Sequence, residues 1–265
     1  MEIVTLLLMG GLAGVMAGLL GIGGGALIVP VLVIVFEDHG VNPQIIMQLA
    51  LGTSLATIVF TSISSAGAYH RRGALDWAIF RRIAPAIVVG ALIGAAIADH
   101  LGSRTLQWMF VVFMFAVAAQ FARGTTVTRA HARLPGVLGM NLAGTIIGIA
   151  SALFGIGGGS LSVPFMTWCS VSVKRAIGTS AAIGLPIAVG GAIGYIVAGW
   201  NEPSLPPWSF GYVALPAFAG IVVASTAAAP LGARLAHRLS EATLRRIFAL
   251  FVALLGLRML WGLVR

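Results

Sequence analysis

Four glycines in five residues, Gly21, Gly23, Gly24 and Gly25, open the run Gly21-Ile22-Gly23-Gly24-Gly25-Ala26-Leu27-Ile28-Val29-Pro30. The run returns as Gly155-Ile156-Gly157-Gly158-Gly159-Ser160-Leu161-Ser162-Val163-Pro164. Glycine disfavours a helix interior by about 1 kcal/mol per residue against alanine, so each run predicts a break where apolar sequence would otherwise continue a helix. A glycine stretch that leads into a helix presents successive backbone N–H groups and the positive end of the helix dipole, a combination suited to an anion. Without Cβ atoms, the ligand can approach the backbone itself. Ser160 adds a hydroxyl in the second copy where the first has Ala26. The spacings Gly21/Gly25 and Gly155/Gly159 are also those of close helix packing, and both readings stand at this level.

A second recurring element is hydroxylic. Gly52-Thr53-Ser54 returns as Gly178-Thr179-Ser180, each near the start of the apolar segment that follows a glycine run. These hydroxyls are candidates for the same cavity; the alternative is hydrogen bonding to a carbonyl of their own or a neighbouring helix. The candidate substrate-binding residues are therefore Gly21, Gly23, Gly24, Gly25, Gly155, Gly157, Gly158, Gly159, Ser160, Thr53, Ser54, Thr179 and Ser180. Lys174 and Arg175, just before the second triplet, are candidate cations at a pore mouth, or else cytoplasmic anchors. Asn141 reads as an interhelical hydrogen-bonding residue.

The residues that would do other chemistry stand elsewhere. Glu2, Glu37, Asp38, Asp76, Asp99, Glu202 and Glu241, and all five histidines, fall in loops or at segment ends. A membrane enzyme needs convergent nucleophile, base or metal ligands, and an ion-coupled pump usually keeps an ionisable group at depth. Neither pattern is present. No catalytic residue, metal site or cofactor is expected, and no phosphate-binding G-x-x-x-x-G-K-[ST] loop occurs. The single cysteine, Cys169, excludes an internal disulfide.

The elements that must position these residues are membrane helices. The chain is 59% apolar and 9% charged, with a mean hydropathy of +1.02, whereas about a quarter of a soluble domain is charged. Eight main apolar segments are legible: 3–36, 43–69, 83–98, 106–122, 135–169, 176–200, 208–231 and 244–264. With the breaks they predict about eight to ten helices in an all-α polytopic membrane protein. The first segment lacks a basic leader and is expected to remain in the mature chain. Trp200, Trp208 and Trp261 read as interfacial residues, and the proline-rich stretch 199–209 as an external cap. The formal net charge of +9 marks cytoplasmic loops in such a protein, so nucleic acid is not an expected partner; lipid is.

Matched landmarks predict one transmembrane domain over 1–265 made of two structural repeats, about 1–122 and 135–265, joined by a basic linker, 123–134. If all eight segments cross once, arginine and lysine divide nine against seven between the two sides, with no bias. If each glycine-broken segment turns back as a hairpin or re-entrant loop, the division becomes thirteen against three, with only Arg104, Arg258 and Arg265 outside. The positive-inside rule favours the second arrangement, which makes the two repeats inverted.

In its paired G-I-G-G-G-x-x-x-V-P motifs and its two G-T-S triplets, in matched positions across the whole chain, the sequence resembles the TauE/SafE family of sulfite and sulfonate exporters. The resemblance implies a multi-pass protein of the bacterial inner membrane that moves a small sulfur-containing anion, with the basic loops, 123–133 included, in the cytoplasm. An importer or channel for another small anion and a non-transporting scaffold subunit are the alternatives, and a homo-oligomer is left open.

Overall fold

The computed structural model describes Gly11, residues 25–123, 134–236 and 241–264. Its elements are α1 (Gly25–Asp38), α2 (Ile46–Arg71), α3 (Trp77–His100), α4 (Ser103–Arg123), α5 (Val137–Leu153), α6 (Gly159–Trp168), α7 (Val173–Ala198), α8 (Leu215–Ala236) and α9 (Glu241–Val264). No strand occurs among the described residues, only an isolated bridge between Ser209 and Ala214. Gly21, Gly23 and Gly24 and most of the basic linker lie outside the described residues.

Four of the described helices, Ile46–Arg71, Trp77–His100, Ser103–Ala122 and Val173–Ala198, are long and apolar enough to cross a membrane. α2 and α7, 26 residues each, extend about 39 Å at 1.5 Å per residue and form the centre. They are antiparallel: Gly52 meets Tyr195, Leu55 meets Gly191 and Ser62 meets Gly184. α3 packs on α7 and, along its other side, on α5, while α4 pairs with α9.

The α3–α5 contact depends on small residues. A Cβ on Gly94 would stand 2.6 Å from the Ile149 carbonyl oxygen, and one on Gly144 3.0 Å from that of Ile83. Gly90 and Gly148 press equally closely on Thr145 and Ile87. Where lipid tails are as apolar as leucine, such close backbone approach is what drives helix association. The opposite face of α5 carries Leu138, Leu142 and Ile146, exposed by 85%, 63% and 57%. An apolar stripe one helical turn apart and facing outward is the pattern of a helix bathed in hydrocarbon, not water.

Two boundaries differ from the sequence reading. α3 begins at Trp77, not near Ile83, because the Asp76 side chain accepts from the Ala78 and Ile79 N–H groups (3.0 and 3.2 Å). A cap of this kind contributes about 1 kcal/mol and carries Arg81 and Arg82 into the helix. α8 begins at Leu215, not near Trp208. After 199–209 the chain folds back through Gly211 at φ +54° and buries Tyr212, Val213 and Ala214 against the bundle.

The direction of the chain around the second glycine run follows from contacts. Gly144, Gly148 and Ala152 of α5 meet Ile83, Ile87 and Gly94 of α3 in turn, so α5 runs parallel to α3 from the end that holds the 72–76 turn. α7 starts at that same end, with Gly178 against Ala74. Between them α6, only 10 residues and about 15 Å long, brings the chain back. At the opposite end Arg104 Nη2 donates to the Leu263 carbonyl (3.4 Å), and Arg258 stands 3.9 Å from Glu37. Gly148→Leu is expected to destabilise the purified protein in detergent by about 3 kcal/mol or more. Gly67→Ala, where a Cβ would meet nothing within 4 Å, is expected to be neutral or up to about 1 kcal/mol stabilising. Thermal unfolding of both variants checks the contrast.

Candidate functional site

The second glycine run ends one helix and starts another by different means. Gly155 takes φ +57°, a left-handed conformation that glycine adopts without the steric cost of a Cβ. Around it the Ile156 N–H bonds the Ser151 carbonyl (3.0 Å) and the Gly155 N–H the Ala152 carbonyl (3.3 Å). This pair of bonds closes the C-terminus of α5. The next orphaned groups belong to α6. No side chain caps it at Gly158, and among the described residues no backbone carbonyl accepts from the N–H groups of Gly157, Gly158, Gly159, Ser160 or Leu161. The first closing bond of the helix is Ser162 N–H to the Gly158 carbonyl (3.0 Å). Unpaired donors at a helix start are expected; here Gly157 and Gly158 are buried as well.

This break sits halfway along the central helices and against the start of α1. A Cβ on Gly25 would stand 2.5 Å from the Gly155 carbonyl oxygen, 2.8 Å from the Ile156 Cα and 2.9 Å from Ile58 of α2. The Ser54 hydroxyl donates to the Gly155 carbonyl (2.9 Å). On the other side a Cβ on Gly158 would meet the Ser180 carbonyl oxygen at 2.5 Å and the Gly184 nitrogen at 2.9 Å. Gly25, Gly155, Gly157, Gly158, Ser54 and Ser180, picked from two distant parts of the sequence, thus gather at one depth. Gly159 and Ser160 occupy the first turn of α6, half-buried.

The two threonines do something else, and they do it reciprocally. Thr53 Oγ1 accepts from the Ala214 N–H (3.0 Å), just before α8. Thr179 Oγ1 accepts from the Asp76 N–H (2.9 Å), just before α3. The preceding glycines follow suit: Gly52 presses on the Tyr212 carbonyl and Gly178 on that of Ala74. Both threonines are fully buried. Each triplet therefore joins its helix to the loop that starts a helix in the other half of the chain. The serines turn inward or back, Ser54 to Gly155 and Ser180 to the Ile177 carbonyl (2.8 Å).

Other sequence candidates lie apart from this centre. Lys174 and Arg175 are exposed in the first turn of α7, and Asn141 is exposed on α5. Trp200, Trp208 and Trp261 are exposed by 61%, 78% and 58%. Two hydroxyls that sequence reasoning did not single out bracket the break: Ser151, in the last turn of α5, and Ser162, in the first turn of α6. Both are fully buried and, among the described residues, neither Oγ has a hydrogen-bond partner. Their signal in the sequence is a polar residue within one turn of a glycine break in an otherwise apolar run.

The family model for "Sulfite exporter TauE/SafE" matches residues 6–259. The chain belongs to the TauE/SafE family. A "Probable membrane transporter protein" of Haemophilus influenzae is 38% identical over 261 residues, covering 97% of each chain. One from Methanocaldococcus jannaschii is 28% identical and covers 96% of this chain and 94% of its own. One from Bacillus subtilis is 27% identical, with 94% and 97% covered. No solved structure matches at a significant level. As a TauE/SafE member with several long apolar helices and outward-facing apolar stripes, the protein is a multi-pass membrane transporter.

Thr53→Val is expected to leave the buried Ala214 N–H without its acceptor and to destabilise the protein by about 1–3 kcal/mol. Thr61→Val, whose half-buried hydroxyl only bonds its own helix at the Ile58 carbonyl, should change little. The comparison is read from melting temperatures in detergent.

Proposed function

We propose that this TauE/SafE protein exports a small sulfur-containing anion, such as sulfite or a sulfonate like sulfoacetate, by alternating access around its two glycine breaks. The observation that carries this reading is the meeting of the two runs. Gly25, at the end of the first, lies against Gly155 and Ile156 of the second at mid-length of α2 and α7. In the same run, among the described residues, no backbone carbonyl accepts from the N–H groups of Gly157–Leu161. Discontinuous helices whose starts point at an anion near the bilayer midplane are a recurring transporter design.

Two inverted repeats, about 1–122 and 135–265, account for the reciprocal threonine bonds. Under a two-fold relation in the membrane plane, Thr53 to the start of α8 and Thr179 to the start of α3 are the same contact made twice. The two joints lie at opposite ends of the bundle, so they suit an outer and an inner closure of the same pathway. The end that gathers Arg71, Arg72, Arg81, Arg82, Lys174 and Arg175 is cytoplasmic by the positive-inside rule, and the end with Glu37, Arg104 and Arg258 is external. An inside-negative potential then drives an anion outward by about 2.3 kcal/mol per charge per 100 mV. This force needs no carboxylate at depth, in keeping with the uncharged character of every buried polar side chain among the described residues.

Substrate-induced current from purified protein in liposomes tests the proposal, with sulfite, sulfoacetate, taurine, thiosulfate, sulfate and chloride compared. Current for a sulfur anion is expected, and Gly157→Val should abolish it while leaving a folded, inserted protein. Full current in that variant would overturn the backbone site. Labelled-anion flux that runs only inward in cells would assign an importer instead, and absence of both current and labelled flux would favour a scaffold subunit.

A further inference from the structure

The two buried hydroxyls at the second break extend the proposed anion site, on which this inference rests. Ser162 stands in the first turn of α6, its N–H closing that turn on Gly158. Helical Cα–Cβ bonds tilt toward the N-terminus, so its side chain leans toward the glycine end, where among the described residues the N–H groups of Gly157–Leu161 have no backbone acceptor. Its Oγ is fully buried and, among the described residues, makes no hydrogen bond. A buried polar group without a partner is disfavoured by about 1–3 kcal/mol, and most such groups in proteins are satisfied by protein, water or ligand. Ser151 across the break is in the same condition, which marks the spot as one built for a polar guest.

The charge of that guest is constrained by what surrounds it. The buried polar side chains of the described residues are those of Gln, Ser, Thr and Tyr, with Cys169, and none is a carboxylate, amine or guanidinium. A site of neutral dipoles stabilises an anion by hydrogen bonds only, and the Born penalty for leaving water rises with the square of the charge. A dianion would face roughly four times the desolvation cost of a monoanion of the same size. Backbone N–H groups donate only; a serine hydroxyl also accepts, and so can accept a hydrogen bond from the O–H of a singly protonated oxyanion.

We propose that the Ser162 hydroxyl binds the transported anion directly, together with the glycine N–H groups, and that the species bound is a singly charged oxyanion. Such a species is a sulfonate, or the hydrogen form of a diprotic acid such as sulfite.

Purified full-length protein in liposomes, wild type and Ser162→Ala, tests this with methanesulfonate and sulfite as probes at pH 6 and pH 8. In Ser162→Ala the half-saturating concentration of methanesulfonate should rise about tenfold, a loss in the range of one hydrogen bond to a charged group. The melting temperature without substrate should stay level or rise, because no bond within the protein is removed. For wild type, the half-saturating total sulfite should increase from pH 6 to pH 8 as the hydrogen form is depleted, while that of methanesulfonate stays constant. An unchanged half-saturation in Ser162→Ala, a lower melting temperature showing that the hydroxyl served the fold, or tighter binding of total sulfite at pH 8 would overturn the proposal. Loss of transport in Gly157→Val alongside normal Ser162→Ala would remove only the hydroxyl's role and leave the glycine site standing. A wild type that moves neither probe would remove both.

Discussion

A peptide group in apolar surroundings has to find its hydrogen bonds within the protein, and the second glycine run is where this molecule's backbone departs from that economy. α5 ends with the carbonyls of Ala150, Ser151 and Ala152 bonded around the left-handed Gly155. α6 begins uncapped. The contrast matters because the two ends lie within five residues of each other, at mid-length of the central helices. Everything around the break holds this arrangement in place. Ser54 takes the Gly155 carbonyl, Gly158 lets α6 start directly on the backbone of α7, and Gly25 brings the first run against the second.

The same absence of side chains that exposes the donors also permits the packing that surrounds them. Gly90, Gly94, Gly144 and Gly148 seat α5 on α3, and that register fixes how deep α5 travels before it breaks. The glycines of α3 and α5 serve helix contact, Gly155 also makes the turn that ends α5, and Gly158 lets α6 start on the backbone of α7. The hydroxylic triplets divide in a similar way. Their threonines secure the starts of α3 and α8 from the opposite half of the chain, while at the break Ser54 gives its hydroxyl and Ser180 its backbone carbonyl contact.

Much of this was legible beforehand because membrane sequence is restrictive. Hydrocarbon admits few kinds of backbone, so the all-helical, multi-pass class and most segment positions follow from apolar runs alone. The bound at Trp77 was missed because a capping aspartate, not hydropathy, sets it. The bound at Leu215 was missed because the apolar residues Tyr212, Val213 and Ala214 are buried in a loop, where a hydropathy profile cannot tell loop from helix. Ser162 escaped notice for a related reason: serine is common in membrane helices, and only burial without a partner distinguishes it.

The sequence by itself determined the chain's solvent, its second break and its family, because composition and the paired glycine runs are local properties that no tertiary contact is needed to read. It also carried, in the distribution of arginine and lysine, a preference for segments that turn back. Only the tertiary structure decided which glycines touch which backbone, that Thr53 and Thr179 reach across to Ala214 and Asp76, and that Gly25 meets Gly155. Those facts join residues from about twenty to more than a hundred and fifty positions apart. No periodicity encodes them, since they arise from how rigid helices of fixed length can be packed at once.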